Sequence, residues 1–296
     1  MEKVEYSVLF EVKKANPNGD PDGDNLPRTD SNGYGFVTQN ALKRKMKDLF
    51  AAQGNVIYLS KDKEAEEFQY PEEKIQFLVE QSEKLSKETF ASELDFEREV
   101  KKVLCEVYMD IRLFGSVITT NMKYKLGSKK GDLKNTNVYG AVTVTGATSI
   151  YPIETEEHAT TKAIPTKREA AKGQNDTMGG SSKFVNHGLY RFDVSVNMLK
   201  GEKNGVTEQD IKDLEYALQN LFINDASAAR PAGSMNVVNV FKWQHSTKLG
   251  DIGSGDIFAA LKVTPKPDTM PLCVDDYVVE LDPSALPETV TVSQLK

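Results

Sequence analysis

Residues 4–12, VEYSVLFEV, alternate without a break. Val4, Tyr6, Val8, Phe10 and Val12 face one way; Glu5, Ser7, Leu9 and Glu11 face the other. A period of two predicts a strand with one face on a core. In TQNALKRKMKDLFAA, Leu42, Met46, Leu49 and Phe50 make an apolar helical stripe, with Thr38 as N-cap. Strands are predicted over Val138–Ile150, Leu189–Met198 and Val237–Trp243, each rich in β-branched or aromatic residues. Between the last two, Thr207 and Asp210 form a capping box ahead of Ile211, Leu214, Leu218, Leu221 and Phe222. Shorter β-like runs follow at Phe258–Val263 and Tyr277–Leu281. The order strand, helix, strand, strand, helix, strand predicts an α+β chain with a ferredoxin-like core, the order of RNA-recognition folds.

Two insertions interrupt that core. Its expected parts are 1–53, 138–150 and 188–296. The first insertion, 54–137, is charged and mostly helical in pattern, with a break at Pro71. The second, 151–187, is polar, basic and Gly-rich without clear periodicity. Loops this long without an obvious core are usually functional or mobile.

The net charge of −7 argues against a nucleic-acid partner only until it is mapped. Residues 61–110 hold 8 basic and 15 acidic residues, whereas 111–200 hold 13 basic and 7 acidic. An acidic insertion masks a basic middle, and binding follows the local field. The N-terminus is charged throughout, and no apolar run approaches the roughly 18 residues of a membrane helix. Cys105 and Cys273 fit no metal spacing, and only His158, His187 and His245 are present. A cytoplasmic protein with reduced thiols, no metal, no cofactor and no membrane contact is expected.

The stretch NPNGDPDGDNLPR places Asp20, Asp22 and Asp24 as a calcium loop would. Position six would be Asn25 instead of Gly, and position twelve Ser31 instead of Glu. A turn-rich loop is the better reading. Just beyond it, Lys43 and Lys47 share a helical face, with Arg44 and Lys45 widening the charge. Such a face is either solvated or a rail for phosphates. In DIRLFGSVITTN, Arg112, Gly115, Ser116 and Asn121 surround apolar residues, either as a bulged strand or as a close approach to a ligand. DTMGGSSKF either crosses a ligand, with Met178 as a wedge and Lys183 as a cation, or is a disordered tip. Arg230 stands among small residues that leave its donors free. There is no phosphate loop, no H-E-x-x-H and no G-x-S-x-G elbow.

Taken together, NPNGDPDGDNLPR, GFVTQNALKRKMK, MDIRLFGSVITT, TMGGSSKFVNHGLY and NDASAAR resemble the backbone subunit of CRISPR Cascade complexes. That is family seven of the CRISPR-associated proteins, here closest to its type I subtype C branch, with subtype B near. The resemblance spans about residues 4 to 245; the C-terminal fifty residues add little. It implies a hand: a ferredoxin-like palm, fingers in 54–137 and a thumb in 151–187. It implies partners too: a guide crRNA, further copies in a filament, other Cascade subunits, and target DNA paired with the guide. Base pairing would read sequence while protein holds backbone. Lys43, Arg44 and Lys47 fall where the family's palm helix holds phosphates. Gly115, Ser116 and Val117 fall at the kinked nucleotide, with Val117 shorter than the Met of some relatives. Arg230 matches a basic residue after the second helix, and Arg28 lies beside the groove. The resemblance implies no catalysis. The alternative is an RNA-cleaving subunit of type III kind, using one of Asp20, Asp22, Asp24 or Asp30.

Overall fold

The computed structural model describes residues 1–60, 68, 70–87, 89–126, 129–161, 164, 167 and 178–296. The first strand, β1 (Val4–Ala15), is the spine of the sheet. It pairs antiparallel with β10 (Met178–Val196) on one side and β11 (Met235–Gln244) on the other. Beyond β10 lie β7 (Val142–Val144) and β8 (Ala147–Pro152), and β8 pairs in turn with β2 (Tyr34–Val37). β14 (Thr291–Gln294) closes the opposite edge against β11.

The strand expected over Val138–Ile150 is three pieces, of which the first, β6 (Thr136–Tyr139), leaves the main sheet. Gly140 and Gly146 mark the breaks. A Cβ on Gly146 would fall closer than 3.0 Å to the Phe36 ring, so a larger residue there would have to displace that ring.

Two helices cover one face. Thr38 caps α1 (Gln39–Ala52), its hydroxyl accepting from the Ala41 amide at 3.2 Å. The expected stripe of Leu42, Met46, Leu49 and Phe50 is buried on the sheet. Numbering helices in chain order, α2 is Pro71–Gln81, α3 Glu83–Lys87, α4 Glu93–Val107, α5 Met109–Phe114, α6 Met198–Asn204 and α7 Glu208–Gln219. The second covering helix, α7, starts at the expected Thr207–Asp210 capping box and buries Leu214 and Leu218. Tyr6, Val8, Phe10, Tyr190 and Phe192 join these side chains in one core, each burial contributing about 1.5–3 kcal/mol.

The opposite face of the sheet is covered too. Glu5, Ser7 and Leu9, on the second face of the alternation, are fully buried as well. The C-terminal segment covers them. Helix α8 (Ser254–Ala259) and the ribbon β12 (Leu261–Pro265) with β13 (Tyr277–Leu281) form a second core around Leu9, Leu189 and Trp243. Phe258 and Ala259 are therefore helical, not strand. Arg191 locks this cover down by donating to the Phe258 and Leu261 carbonyls, both at 2.7 Å. Glu5 is matched by His245, whose Nδ1 accepts from the Asp251 amide at 2.9 Å, leaving Nε2 to donate to the carboxylate at 3.0 Å.

The region after α1 has a core of its own, from Tyr58 to Val138, centred on Ile75, Phe96, Leu104 and Ile118. Pro71 starts α2 instead of breaking a helix, as its missing amide permits at a first turn. Between β8 and β10 the sheet continues outward: β9 (Thr155–Thr161) pairs with the first half of β10. The strand expected to begin at Leu189 thus begins at Met178. Among the described residues no helix is long and apolar enough to cross a membrane.

Candidate nucleic-acid interface

Four cations line α1, and the structure sorts them. Lys45 is buried and paired with Asp225, which also takes Arg230 Nε at 2.8 Å. Lys47 reaches the buried Asp110 at 2.9 Å, whose other bonds come from the amides of Tyr58 and Leu59. Arg44 is exposed, with a loose pair to Asp48 at 3.3 Å. Lys43 has no carboxylate partner among the described residues. Its ammonium sits over the Phe114 ring, 5.6 Å from the centroid. Burial, then the charge of Lys47, lowers its proton affinity below that of an ordinary lysine.

Phe114 ends α5, and the chain turns at once into β3 (Gly115–Ile118), paired with β6. The segment Asp110–Asn121 is therefore helix then strand, not one bulged strand. Gly115 has φ +74°, and a Cβ there would fall closer than 3.0 Å to the Val138 carbonyl and the Gly140 amide. Ser116 is half-buried, while Val117 stands 66% exposed on the outer face. Lys43, Phe114 and Gly115–Val117 thus form one continuous surface.

The other candidates have different roles. Arg112 grips Asp210 with two parallel bonds, at 3.0 Å and 2.6 Å, and donates to the Cys105 carbonyl at 3.1 Å. Its charge is matched inside the fold, and it ties α4, α5 and α7 together. Arg230 is likewise held by Asp225, and Arg28 by Asp20 at 3.2 Å. Lys183 is buried, binding the Asp24 carbonyl at 2.8 Å as well as its carboxylate. That bond to Asp24 raises its proton affinity. Asn121 is exposed at a cleft lined by Lys123 and Tyr124, to which α1 contributes no residue. The backbone of Met178 pairs with Thr161, and its side chain lies outside the described residues, as do Asp176 and Thr177 of the same segment.

The aspartate loop is a set of turns. The Gly23 and Asn25 amides both donate to the Asp20 carbonyl, and Asp24 and Asn25 adopt positive φ. Asp30 caps the next turn, accepting from Asn32 and Tyr34. Among the described residues no three His, Cys, Asp or Glu side chains converge as a metal site. Asn18 reaches from this loop to the Thr38 amide at 2.9 Å, and Asn16 donates to the Ala229 carbonyl at 2.8 Å. The loop therefore braces the start of α1 against the 225–234 segment.

The sequence profile of the family described as CRISPR-associated protein Cas7 matches residues 2–282. The chain belongs to that family. A "CRISPR-associated protein Cas7" of Haloferax volcanii is 25% identical over 250 residues, covering 79% of this chain and 68% of that protein. Among solved structures, a chain of a "CRISPR RNA-guided surveillance complex, pre-nicking" superposes with a TM-score of 0.52 at 14% identity. That match covers 87% of this chain and 81% of the other, and is a likeness of fold. Family membership reaches well into the C-terminal segment, where the sequence motifs had stopped at about residue 245.

Two features escaped the sequence reading. Lys45 was counted with the open charge of α1, although its i+4 partner Leu49 and its preceding i−3 neighbour Leu42 lie on the buried side. Tyr139 is 73% exposed on the same ribbon as Val117, although it reads as one more residue of a strand.

Proposed function

We propose that this Cas7-family chain is a non-catalytic backbone subunit of a type I RNA-guided surveillance complex, closest to subtype C. Copies line a guide crRNA in the cytoplasm, hold its phosphates and leave its bases free to pair with target DNA, alongside other Cascade subunits. In this reading the sheet with α1 and α7 is a ferredoxin-like palm. The helical region with its own core is the fingers, and 151–187 the thumb. Family membership supports the reading, as does the strand order β11-β1-β10-β7 with a helix after β1 and after β10.

The observation that carries it is Lys43. A half-buried ammonium with lowered proton affinity and no carboxylate partner among the described residues is costly unless an anion arrives. A phosphate beside Lys43 and Arg44 supplies that anion, and the turn at Gly115 lets the next nucleotide approach Val117. Asp20, Asp24 and Asp30 each hold a structural contact, which favours this reading over loop-aspartate cleavage.

The test is the salt dependence of RNA binding. Lys43→Ala is expected to weaken binding alike for unrelated sequences. The slope of log affinity against log salt should flatten by about 0.7, one single-strand phosphate contact. Lys43 is a cleaner probe than Lys47, whose removal would strand the buried Asp110 charge. An unchanged slope removes Lys43 from the RNA path.

A further inference from the structure

A second cationic cleft lies beside the β3–β6 ribbon. Helix α4 forms one bank, α6 the other, and Asn137–Tyr139 the wall, around a volume of about 510 Å³. Its lining includes Arg98, Lys101, Lys102, Lys200 and Lys203 and no acidic residue. On the α4 bank the charges are partly matched: Arg98 meets Asp95 at 3.4 Å, Lys101 meets Glu97 at 2.7 Å and Lys102 meets Glu106 only at 3.9 Å. On the α6 bank Lys200 and Lys203 are exposed and have no carboxylate partner among the described residues. They stand three apart, so both project from one face of the helix.

The cleft is held rigid from below. Asn204 donates to the Tyr139 carbonyl at 2.9 Å and to the Arg112 carbonyl at 3.1 Å, joining α6 to the ribbon and to α5. Tyr139 pairs with Gly115 and Asn137 with Val117, so Tyr139 and Val117 share one face of the ribbon. The tyrosine ring is therefore an open aromatic surface at the edge of a groove of cations.

We propose that this cleft binds a single-stranded nucleic-acid segment, with Tyr139 stacking on a base and Lys200, Lys203 and Lys102 holding its phosphates. A groove of positive charge that tracks the backbone beside an aromatic platform is how single strands are held without regard to sequence. A duplex keeps its bases stacked inside and offers Tyr139 nothing, and an acidic peptide has no need of the ring. The proposal is independent of the Lys43 assignment, since it uses none of the same side chains. The strand has two possible sources: the guide RNA continuing past the ribbon, or a separate single strand.

Photo-crosslinking with iodouracil-bearing strands tests it on the RNA-loaded protein. One arm carries the label in the guide RNA, the other in an unrelated single-stranded DNA. A crosslink at Tyr139 is expected in one arm, and the arm identifies the source. Lys200→Glu with Lys203→Glu should abolish it, whereas Lys43→Ala should leave it when the strand is the DNA. Affinity for that strand should fall roughly five- to hundredfold in Tyr139→Ala, the range of one lost base stack, and recover in Tyr139→Phe. Thermal melts of the exposed α6 variant, with Lys203→Gln as a milder one, show whether the fold is intact. No crosslink at Tyr139 in either arm, a crosslink unmoved by the lysine changes in an intact protein, or equal displacement by duplex DNA or polyglutamate would overturn the proposal.

Discussion

Replacing Arg112 by methionine is expected to destabilise the protein by about 3–5 kcal/mol, because it strands a buried carboxylate. Asp210 is almost wholly enclosed, with a side chain 4% exposed. Burial pushes its carboxyl up, but the bonds from Arg112 and Thr207 outweigh this and hold it below the usual carboxylate range. A lowered folded value means that its contribution is fully present above the unfolded value near pH 4. It is lost as pH falls through the folded one. Urea melts between about pH 6 and pH 3 should therefore show a smaller acid penalty in Arg112→Met than in wild type. Asp210→Asn combined with Arg112→Met should cost less than the two single changes added, since neither partner is then left alone. Arg112→Lys should rescue little, because one ammonium cannot make the two parallel bonds to Asp210. Equal stability of Arg112→Met and wild type would remove this pair as the tie between α4, α5 and α7.

Gly140→Ala is expected to be comparably severe, at about 2–4 kcal/mol from overpacking. Its Cβ would fall closer than 3.0 Å to the Leu113 carbonyl, the Phe114 carbonyl carbon and the Gly115 amide, all backbone atoms with no rotamer to yield. Gly115→Ala meets the same wall and adds the left-handed penalty of about 1–2 kcal/mol. Gly54→Ala is the control. It too has positive φ, but nothing lies within 4 Å of its Cβ, so only the backbone penalty applies. The functional consequence is local. The β3–β6 ribbon is seated on α5 by this glycine contact, so Gly140→Ala should loosen Val117 and Tyr139 and weaken RNA binding even where the fold survives. Amide exchange in 115–118 and 136–139 would report the loosening. A Gly140→Ala protein as stable as the Gly54→Ala control would contradict the close-packed contact.

What the sequence made legible were the elements whose polarity has a period. Alternation in 4–12 marks β1, and helical stripes mark α1 and α7, because one face of each rests on the same core. What it hid were burials with no period of their own. Glu5 and Ser7 read as the polar face of the strand, and their burial rests on Lys3 beside Glu5 and on two partners remote in sequence, His245 and Asp193. The hairpin of β9 with β10 was equally hidden: His158, Glu157, Ser181 and Ser182 are exposed, so no alternation records the pairing. The same limit applied to the site. Charge density marked α1 as a candidate, but only the partners of each side chain separate Lys43 from Lys45 and Lys47. Arg112 and Lys183 carried the right chemistry for phosphate, yet each is matched inside the chain by a carboxylate that adjacency in sequence could not reveal.

The central claim, that copies of this chain line a single RNA, is tested most directly by size. The purified protein, stripped of carried-over nucleic acid by nuclease, is measured alone and with a long single-stranded RNA. A ladder of assemblies growing by one subunit at a time along the RNA is expected. Unchanged size with RNA, persisting when the partner subunits are also supplied, would contradict the account.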